Sequence, residues 1–328
     1  MDIAGCYAII WDMVDLETVL VLGAGASKDF GFPTGKELVR QICDQLSNQE
    51  NKEFELFYEC ANKLSPEVAD KFPFYLKQAD PPSVDAWLEH NPPFIDVGKV
   101  AIAIALLWYE HKYQHLSPEN NWYGLLFQRL NSPFDRFQDN KVSIITFNYD
   151  RSLEQYLFKT FRYTHTAKSH KECEEKLNQL RIVHVYGSLG RLEWQCDDPQ
   201  HSIPQVPYGK RLDRDSVLSA AKSIKIMPEG QEPGIEFDKA RSWIKYANSL
   251  YFLGFGYHKT NMERLGIEIL NRPSKVMGTS LGLDYQRIRE VERLRIRHLK
   301  TKVGLLQESV YEFLHEHVNF NEDGYPAV

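Results

Sequence analysis

The sequence predicts an α/β fold with a doubly wound, Rossmann-like parallel sheet. Three apolar runs, at residues 19–22, 142–147 and 249–253, each end in a turn rich in glycine, asparagine or aspartate. Continuous apolar runs are typical of parallel strands that are buried on both faces. Helical spacing of apolar residues fills much of the chain between them, as expected when helices cover both faces of a parallel sheet.

The chain has 328 residues, of which 43% are hydrophobic and 26% are charged, which is typical of a folded globular protein. We expect a single domain over 1–328, with its core at about 17–40 and 140–280. An inserted helical module is predicted at about 41–139 and C-terminal helices at about 283–318. The N-terminal segment lacks a basic leader, and the apolar run at 101–108 is shorter than a bilayer span. We therefore expect a cytoplasmic protein without a membrane partner.

The first predicted strand ends at Gly23, and Gly25 follows closely. Glycines allow turns that a β-carbon would obstruct, and they leave room for a phosphate to approach the main-chain amides. The spacing matches neither the full dinucleotide fingerprint nor an ATPase phosphate loop. A nucleotide-binding loop and an ordinary glycine turn both remain open at this stage.

The remaining elements follow from apolar periodicity and turn residues. A third strand is predicted at 181–186 and a short one at 274–277, whereas the prolines between 190 and 240 indicate a lobe of loops with short helices. Ser83 is a predicted helix N-cap, and Asp85 is favoured near the positive end of the same helix. Helices are predicted at 36–46, 54–64, 83–90, 97–113, 122–130, 151–161, 261–270, 284–302 and 310–318.

Four short motifs occur in a fixed order along the chain. They are Gly23-Ala24-Gly25-Ala26-Ser27 with Gly31-Phe32-Pro33, Thr146-Phe147-Asn148-Tyr149-Asp150, Val183-His184-Val185-Tyr186-Gly187-Ser188, and Leu253-Gly254-Phe255-Gly256. In this order they resemble the motifs of the sirtuin family and its bacterial sirtuin-like relatives. The resemblance implies a Rossmann-like domain that binds NAD.

The cysteines distinguish two branches of that family. Deacylating sirtuins usually carry a zinc ribbon with paired cysteines, whereas Cys6, Cys43, Cys60, Cys173 and Cys196 are scattered without a Cys-x-x-Cys pair. The chain therefore resembles the bacterial sirtuin-like proteins that consume NAD, and we expect neither a zinc ribbon nor another metal site.

Asn148 and Asp150 follow the strand at 142–147, at the end where doubly wound sheets bind ligands. By resemblance, Asn148 holds a water or a ribose hydroxyl near the reacting carbon, and Asp150 orients the ribose or offsets positive charge. The alternative is that the two residues form a turn and a helix cap, where Asn and Asp are favoured anyway.

The family's general base is a histidine directly before the glycine, but Tyr186 occupies that position here. His184 lies two residues earlier, so on a strand both side chains would share a face. A tyrosine with an ordinary pKa near 10 is a poor base at neutral pH. His184 and Tyr186 are both catalytic candidates, and weakened or absent catalysis remains open.

The other candidate NAD contacts share a place in these motifs or in the helix after the last one. We expect Ser27 and the amides around Gly25 to meet the pyrophosphate, and the turn from Gly254 to Gly256 to approach the adenosine half. The full set is Gly23, Ala24, Gly25, Ala26, Ser27, Phe32, Pro33, Gly187, Ser188, Gly254, Phe255, Gly256 and Asn261.

The expected activity is hydrolysis of NAD to ADP-ribose and nicotinamide, and the resemblance adds a role as an antiphage defence effector. The alternative is a catalytically weakened NAD or ADP-ribose sensor, or an assembly subunit that acts with a partner ATPase. Protein deacylation is disfavoured, because Thr34-Gly35-Lys36 follows Pro33 where deacylating sirtuins have Asp-Phe-Arg.

Interactions between chains are the last expectation. Few residues follow the predicted core, so we expect restraint to come from a homo-oligomer or a separate partner, and the resemblance suggests a HerA-like hexameric ATPase. The net charge of −6 argues against indiscriminate nucleic-acid binding. The basic segment from Arg287 to Lys302 leaves local binding to nucleic acid or an acidic partner open.

Overall fold

A parallel sheet of six strands forms the centre of the protein. The computed structural model describes residues 13–196, 203–228, 231–267, 273, 275–293, 304–318 and 320. The strands are β1 (Thr18–Leu22), β2 (Val142–Thr146), β3 (Arg181–His184), β4 (Ser249–Leu253), β5 (Lys275–Thr279) and β6 (Gly304–Leu306). They are parallel and lie in the order β3-β2-β1-β4-β5-β6. The predicted α/β fold with a parallel sheet is confirmed.

Helices cover the sheet and fill the long connection between β1 and β2. In chain order they are α1 (Gly35–Ser47), α2 (Lys52–Ala61), α3 (Pro66–Ala79), α4 (Val84–His90), α5 (Ile95–Tyr113), α6 (Trp122–Arg129), α7 (Ser152–Thr164), α8 (His170–Leu177), α9 (Arg214–Ser223), α10 (Ile235–Tyr246), α11 (Lys259–Leu265), α12 (Tyr285–Arg293) and α13 (Val310–Glu316). A 3₁₀ helix (Ala24–Phe30) follows β1 directly.

The three central strands end side by side. Every residue of β1, β2 and β4 is buried, as their apolar runs predict. Leu22 is in register with Thr146 on one side and with Leu253 on the other. The residues that follow these strands therefore emerge at one edge, next to the point between β1 and β4 where the chain order reverses. Doubly wound sheets bind their ligands at this point.

Helix α5 is the buried centre of the connection between β1 and β2. Its residues from Val100 to Leu107 are all buried, because α1, α2, α4 and α9 pack around it. The stretch Pro92–Tyr113 is long and apolar enough to cross a membrane by length and composition alone, so the apolar helix is longer than the run noted in the sequence. Its packing inside the protein makes this weak support for a membrane span, since core helices pass the same test.

A buried ion pair fixes the start of α7 next to the sheet edge. The Arg151 guanidinium donates to both carboxylate oxygens of Glu110 on α5, at 3.1 and 2.5 Å, and to the Val206 carbonyl at 2.6 Å. Both side chains of the pair are almost fully buried. Removing one partner of such a pair would leave an uncompensated buried charge.

The elements differ from the predictions in several places. Helix α3 was not predicted, because Pro73 interrupts its pattern yet lies inside the helix. The short strand β6 and the polar helix α8 also lack a clear periodic signal. Helix α11 ends at Leu265, where Gly266 adopts a left-handed conformation, and not at residue 270. Residues 268–270 and 294–303, which carry much of the predicted basic helix, lie outside the described residues.

Candidate functional site

The turns after β1, β2 and β4 contact one another at the edge of the sheet. The Gly23 amide donates to the Leu253 carbonyl at 3.0 Å, and the Gly25 amide donates to the Gly254 carbonyl at 2.9 Å. From the β2 turn, Asn148 Nδ2 donates to the Gly23 carbonyl at 3.0 Å. Three of the predicted motifs therefore lie together at the switch point of the sheet.

The glycines are required by contact between the two glycine turns. A Cβ on Gly23 would lie 2.6 Å from the Gly254 carbonyl oxygen, and one on Gly254 would lie 2.0 Å from the Ala26 nitrogen. Gly254 also has a φ of +56°, which disfavours other residues. The room that the sequence suggested for a phosphate is thus filled by the backbone of the neighbouring turn.

The amides of the first turn are largely engaged by the protein itself. The Gly25 and Ala26 amides donate to the carbonyls of Gly254 and Gly23, both at 2.9 Å. Within the described part of the chain, the amide of the half-exposed Ala24 has no such partner. The predicted contact between the Gly25 amide and a pyrophosphate is therefore not available in this arrangement.

The two polar atoms of the Asn148 side chain differ in their partners: Nδ2 forms hydrogen bonds, whereas Oδ1 has no partner among the described residues. Its Nδ2 donates to the Ser27 hydroxyl at 3.1 Å as well as to the Gly23 carbonyl. Its Oδ1 is buried, and no donor within the described residues reaches it. Uncommitted buried acceptors are uncommon in folded proteins, so the amide oxygen is a candidate ligand-binding atom.

A small cavity of about 10 Å³ lies beside this amide, between β2, α7 and the 3₁₀ helix. Its lining includes Ser27, Asn148, Asp150 and Glu154. A volume of this size is at the lower limit for a single water molecule. The cavity therefore matches a water or one ligand group, and not a whole dinucleotide.

Asp150 lies in a network of hydroxyl groups under the turn. Ser152 donates to its Oδ1 from both the amide, at 3.2 Å, and the hydroxyl. The Tyr123 hydroxyl in turn lies 2.7 Å from Ser152 Oγ. Burial raises the pKa of Asp150, although hydrogen bonds from Ser152 and Ser27 favour its charged form. The protonation of the Asp150 carboxyl group therefore depends on the balance between its burial and these hydrogen bonds.

His184 has protein partners at both ring nitrogens. Nδ1 lies 2.7 Å from the Asn148 carbonyl oxygen, so it carries a proton, and Nε2 lies 2.5 Å from Glu154 Oε1. Burial by itself would lower the pKa of His184, but the nearby Glu154 carboxylate and the Asn148 carbonyl raise it above its ordinary value. The imidazole is thus fixed between β2 and α7.

Tyr186 contacts a different part of the protein. Its hydroxyl donates to Asn261 Oδ1 at 2.7 Å and accepts from the Arg264 guanidinium at 2.6 Å, both on α11. Burial raises the pKa of Tyr186 to about 12, in spite of the neighbouring Arg264. The predicted extent of the strand, 181–186, is wrong, because β3 ends at His184 and Tyr186 lies beyond it.

Helix α4 closes over the same edge through two contacts. Glu89 accepts from the Arg264 guanidinium at 2.8 Å, and Asp85 accepts from the Tyr149 hydroxyl. The Arg264 and Glu89 side chains are only 9% and 15% exposed, so water screens their attraction little. The contacts join the helical connection after β1 to the turn after β2 and to α11.

Several of these residues were missed by sequence reasoning. Glu154 has the signature of an ordinary acidic residue in the first turn of a helix, and Arg264 that of a basic residue in a last turn. Tyr123, Glu89 and Asp85 belong to the connection after β1, where the segment 83–89 was interpreted as a capped structural helix without a functional role. The predicted N-cap is confirmed, because Ser83 caps α4 by accepting from the Ala86 amide at 3.2 Å, and Asp85 lies in the first turn of α4 as expected.

The other residues predicted to contact the cofactor pack against the protein itself or shape its turns. Phe255 packs on Phe147, with ring centroids 4.9 Å apart. The Ser188 hydroxyl donates to the Gly190 carbonyl, and Gly187 adopts a left-handed turn with a φ of +70°. Phe32 is buried, and Pro33 precedes the capping box of α1. Within the described ranges, the hydrogen-bond partners of Asn148 include none of these residues.

A separate group of metal-binding residue types lies near the C-terminus. Ligand atoms of Glu308, Glu316 and His317 lie within 4.8 Å of one another. His317 Nε2 is 3.1 Å from the Glu308 carboxylate, and all three side chains are about one-third exposed or more exposed. The group is accounted for as a surface ion pair with a neighbouring acid.

Neither a scan against protein-family models nor a search of curated proteins found a match to this chain. What can be said about its function therefore comes from the motifs and from the geometry of the sheet edge.

Proposed function

We propose that this chain binds NAD at the edge of the sheet after β1, β2 and β4 and hydrolyses it to ADP-ribose and nicotinamide. The observation that carries this proposal is the buried, uncommitted Oδ1 of Asn148, next to Ser27 and Asp150 at the switch point. The sirtuin-like order of the motifs around this atom supports NAD as the ligand.

The proposed reaction depends more on stabilising positive charge on the ribose than on acid catalysis. Nicotinamide leaves a cationic ring as a neutral molecule, so positive charge develops on the ribose as the glycosidic bond breaks. The Asn148 Oδ1 accepts a hydrogen bond from a ribose hydroxyl or from the attacking water. In its ionised form, the Asp150 carboxyl group offsets the developing charge and accepts the proton that the water loses.

His184 acts in this scheme as a positioning residue. Both of its nitrogens are engaged, so it has no free lone pair with which to abstract a proton. Its hydrogen bond to the Asn148 carbonyl holds the backbone of the turn that presents the Asn148 amide. Glu154 fixes the ring orientation from the opposite side, as carboxylates do for many functional histidines.

The edge has to open before a dinucleotide can enter. The cavity beside Asn148 holds about one water, and α4 is tied to the edge by the Glu89–Arg264 and Asp85–Tyr149 contacts. An enzyme whose open form is a minor population binds its ligand with an affinity reduced by that fraction. We therefore propose that turnover is conditional on movement of α4.

One observation favours a second function, a sensor that binds NAD or ADP-ribose without turnover. Tyr186 replaces the family's histidine, and its hydroxyl is committed to Asn261 and Arg264. Neither Tyr186 nor His184 is then free to act as a base. A sensor of this kind would need only the binding half of the site.

The biological role that we propose, NAD depletion in antiphage defence, is supported by the motif resemblance alone. The same holds for a HerA-like hexameric ATPase as partner. The reaction itself is testable without either.

Nicotinamide release from NAD, measured by chromatography on the purified chain, tests the proposed reaction. Asn148→Ala should lower the rate by about a hundredfold or more, as expected when one transition-state contact is lost. The matched control is Asn120→Ala, which changes an exposed asparagine and should leave the rate unchanged. Equal rates for Asn148→Ala and the wild type would contradict the proposal, whereas ADP-ribose binding without any turnover would favour the sensor.

A further inference from the structure

A large cleft borders the hydroxyl network at Tyr123 and Ser152. Its volume is about 640 Å³, within the range of small-molecule sites. The walls are the segment after β1, the end of α5, the outer face of α7 and the loop before α9. Of the residues predicted to contact NAD, Phe32 lines this cleft.

Aromatic rings dominate the lining of this cleft. Eight of its lining residues are Phe or Tyr, including Phe30, Tyr123 and Phe158 on the buried side and the 66% exposed Tyr163 at the rim. Flat aromatic walls favour a planar ring system, since offset stacking adds to the burial of apolar area. A base or another planar heterocycle fits this lining.

The charges of the cleft have one sign. Lys159 and Arg162 lie on the exposed face of α7, and neither has a carboxylate partner among the described residues. No Asp or Glu belongs to the described lining. Exposed cations beside an aromatic surface attract an anion such as a phosphate group.

Two neutral polar groups in the cleft also lack hydrogen-bond partners among the described residues. The half-buried Tyr208 hydroxyl makes no hydrogen bond within the described part of the chain, and its ring lies 5.8 Å from the Arg151 guanidinium. The Gln155 side-chain amide likewise has no partner among the described residues. Together they offer the donors and acceptors that the polar edge of a heterocycle would need.

We propose that this cleft binds a nucleotide, with its base between the aromatic walls and its phosphate at Lys159 and Arg162. The cleft adjoins the proposed NAD site, because Tyr123 lines both the cleft and the cavity beside Asn148. Tyr123 and Ser152 line the cleft, and Ser152 donates to Asp150. A nucleotide in the cleft therefore contacts the network that holds the Asp150 carboxyl group.

Calorimetric titration of the full-length chain with AMP, adenosine and inorganic phosphate tests this site. AMP should bind more tightly than adenosine or phosphate, because only AMP uses both the aromatic walls and the cations. The double variant Lys159→Glu/Arg162→Glu should weaken AMP binding by about tenfold or more. Lys171→Glu on α8 is the control, since Lys171 is 82% exposed and outside the cleft.

The double variant reverses two charges and could weaken AMP binding by disturbing the fold, so a second variant without a charge change is needed. Tyr163→Ala, at the rim, should also weaken AMP binding, because it removes one ring of the aromatic lining. The site is overturned if AMP shows no binding at about 5 mM or if the double variant binds it as the wild type does. Tighter binding of a short single-stranded DNA than of AMP, lost in the same variant, would also overturn the assignment to a small nucleotide.

Discussion

The His184 imidazole lies between the Asn148 carbonyl and the Glu154 carboxylate, and its protonation is linked to folding. Its pKa in the folded protein is raised above the ordinary value of 6.5. A raised histidine pKa contributes stability that is fully present below the unfolded pKa and is lost as pH rises through the folded pKa. Part of the protein's stability should therefore decline as the pH rises above 6.5 and through the raised pKa of His184.

The variant Glu154→Gln should remove that part of the pH dependence. Without the carboxylate, burial dominates and the pKa of His184 falls, so the loss of stability above pH 6.5 becomes smaller. Thermal melts across this pH range measure the difference from the wild type. Glu175→Gln, at a 62% exposed position, is the control, and an unchanged pH slope in Glu154→Gln would contradict the assigned ion pair.

Tyr186→Phe tests whether the tyrosine is structural or catalytic. Loss of its hydroxyl removes hydrogen bonds to Asn261 and Arg264, which should cost about 1–3 kcal/mol in the free energy of unfolding. We expect nicotinamide release at close to the wild-type rate, with Tyr163→Phe as an exposed control. A loss of turnover as large as that of Asn148→Ala would show that Tyr186 takes part in the chemistry.

At the scale of elements, contact between the two glycine turns determines how β1 and β4 end. Gly254→Ala should destabilise the protein by more than about 3 kcal/mol or prevent folding, because strain and a backbone clash add. Gly282 is a matched control, with a φ of +82° and nothing within 4 Å of an added Cβ. Gly282→Ala should cost only about 1–2 kcal/mol, from the left-handed conformation alone. Equal losses in chemical denaturation of the two variants would show that the close contact is unimportant.

Breaking the contact between α4 and α11 should lower the stability of the protein but raise its affinity for ADP-ribose. Glu89→Ala should lower the free energy of unfolding by about 2 kcal/mol, because the Arg264 charge loses its carboxylate partner. It should also raise the affinity for ADP-ribose, because closure of the edge is weakened. Glu263→Ala, also on the α11 side but 51% exposed, is the control. Calorimetry that finds no gain in affinity for Glu89→Ala would contradict the role of α4 in closing the site.

The sequence predicts the central strands well, because apolar runs and the following turn residues are local signals. It also predicts that Asn148 lies at the sheet edge, since the position follows from the end of β2. The partners of Tyr186 could not be predicted, because Arg264 lies far along the chain and its contact depends on where β3 ends. The same holds for Glu154, whose role depends on the burial of one helix face.

At the scale of the whole molecule, a homo-oligomer stays a prediction. Helix α3 presents two large exposed aromatic residues, Phe74 at 62% and Tyr75 at 48% exposure. Surfaces of this kind are candidates for association between chains. Light scattering should give a mass above that of one chain, reduced by Phe74→Glu. A strict monomer across the micromolar range would contradict the prediction.

The whole molecule also places the two proposed ligand sites on either side of one hydroxyl network. Tyr123, Ser152 and Asp150 separate the aromatic cleft from the Asn148 cavity. Ligand chemistry at the two sites should differ, because one is lined by rings and exposed cations and the other by buried polar groups. A ligand that contains both a base and a ribose could bind at either site, so the position of such a ligand in a structure of the complex will show which site it prefers.

The most direct test of the central claim is a crystal structure of the protein with ADP-ribose bound. We predict that the terminal ribose lies within hydrogen-bond distance of Asn148 Oδ1, with α4 displaced from Arg264 and the pyrophosphate near the Ala24 amide and the Ser27 hydroxyl. A structure in which ADP-ribose occupies only the aromatic cleft, with the Glu89–Arg264 contact intact and Asn148 untouched, would contradict the account.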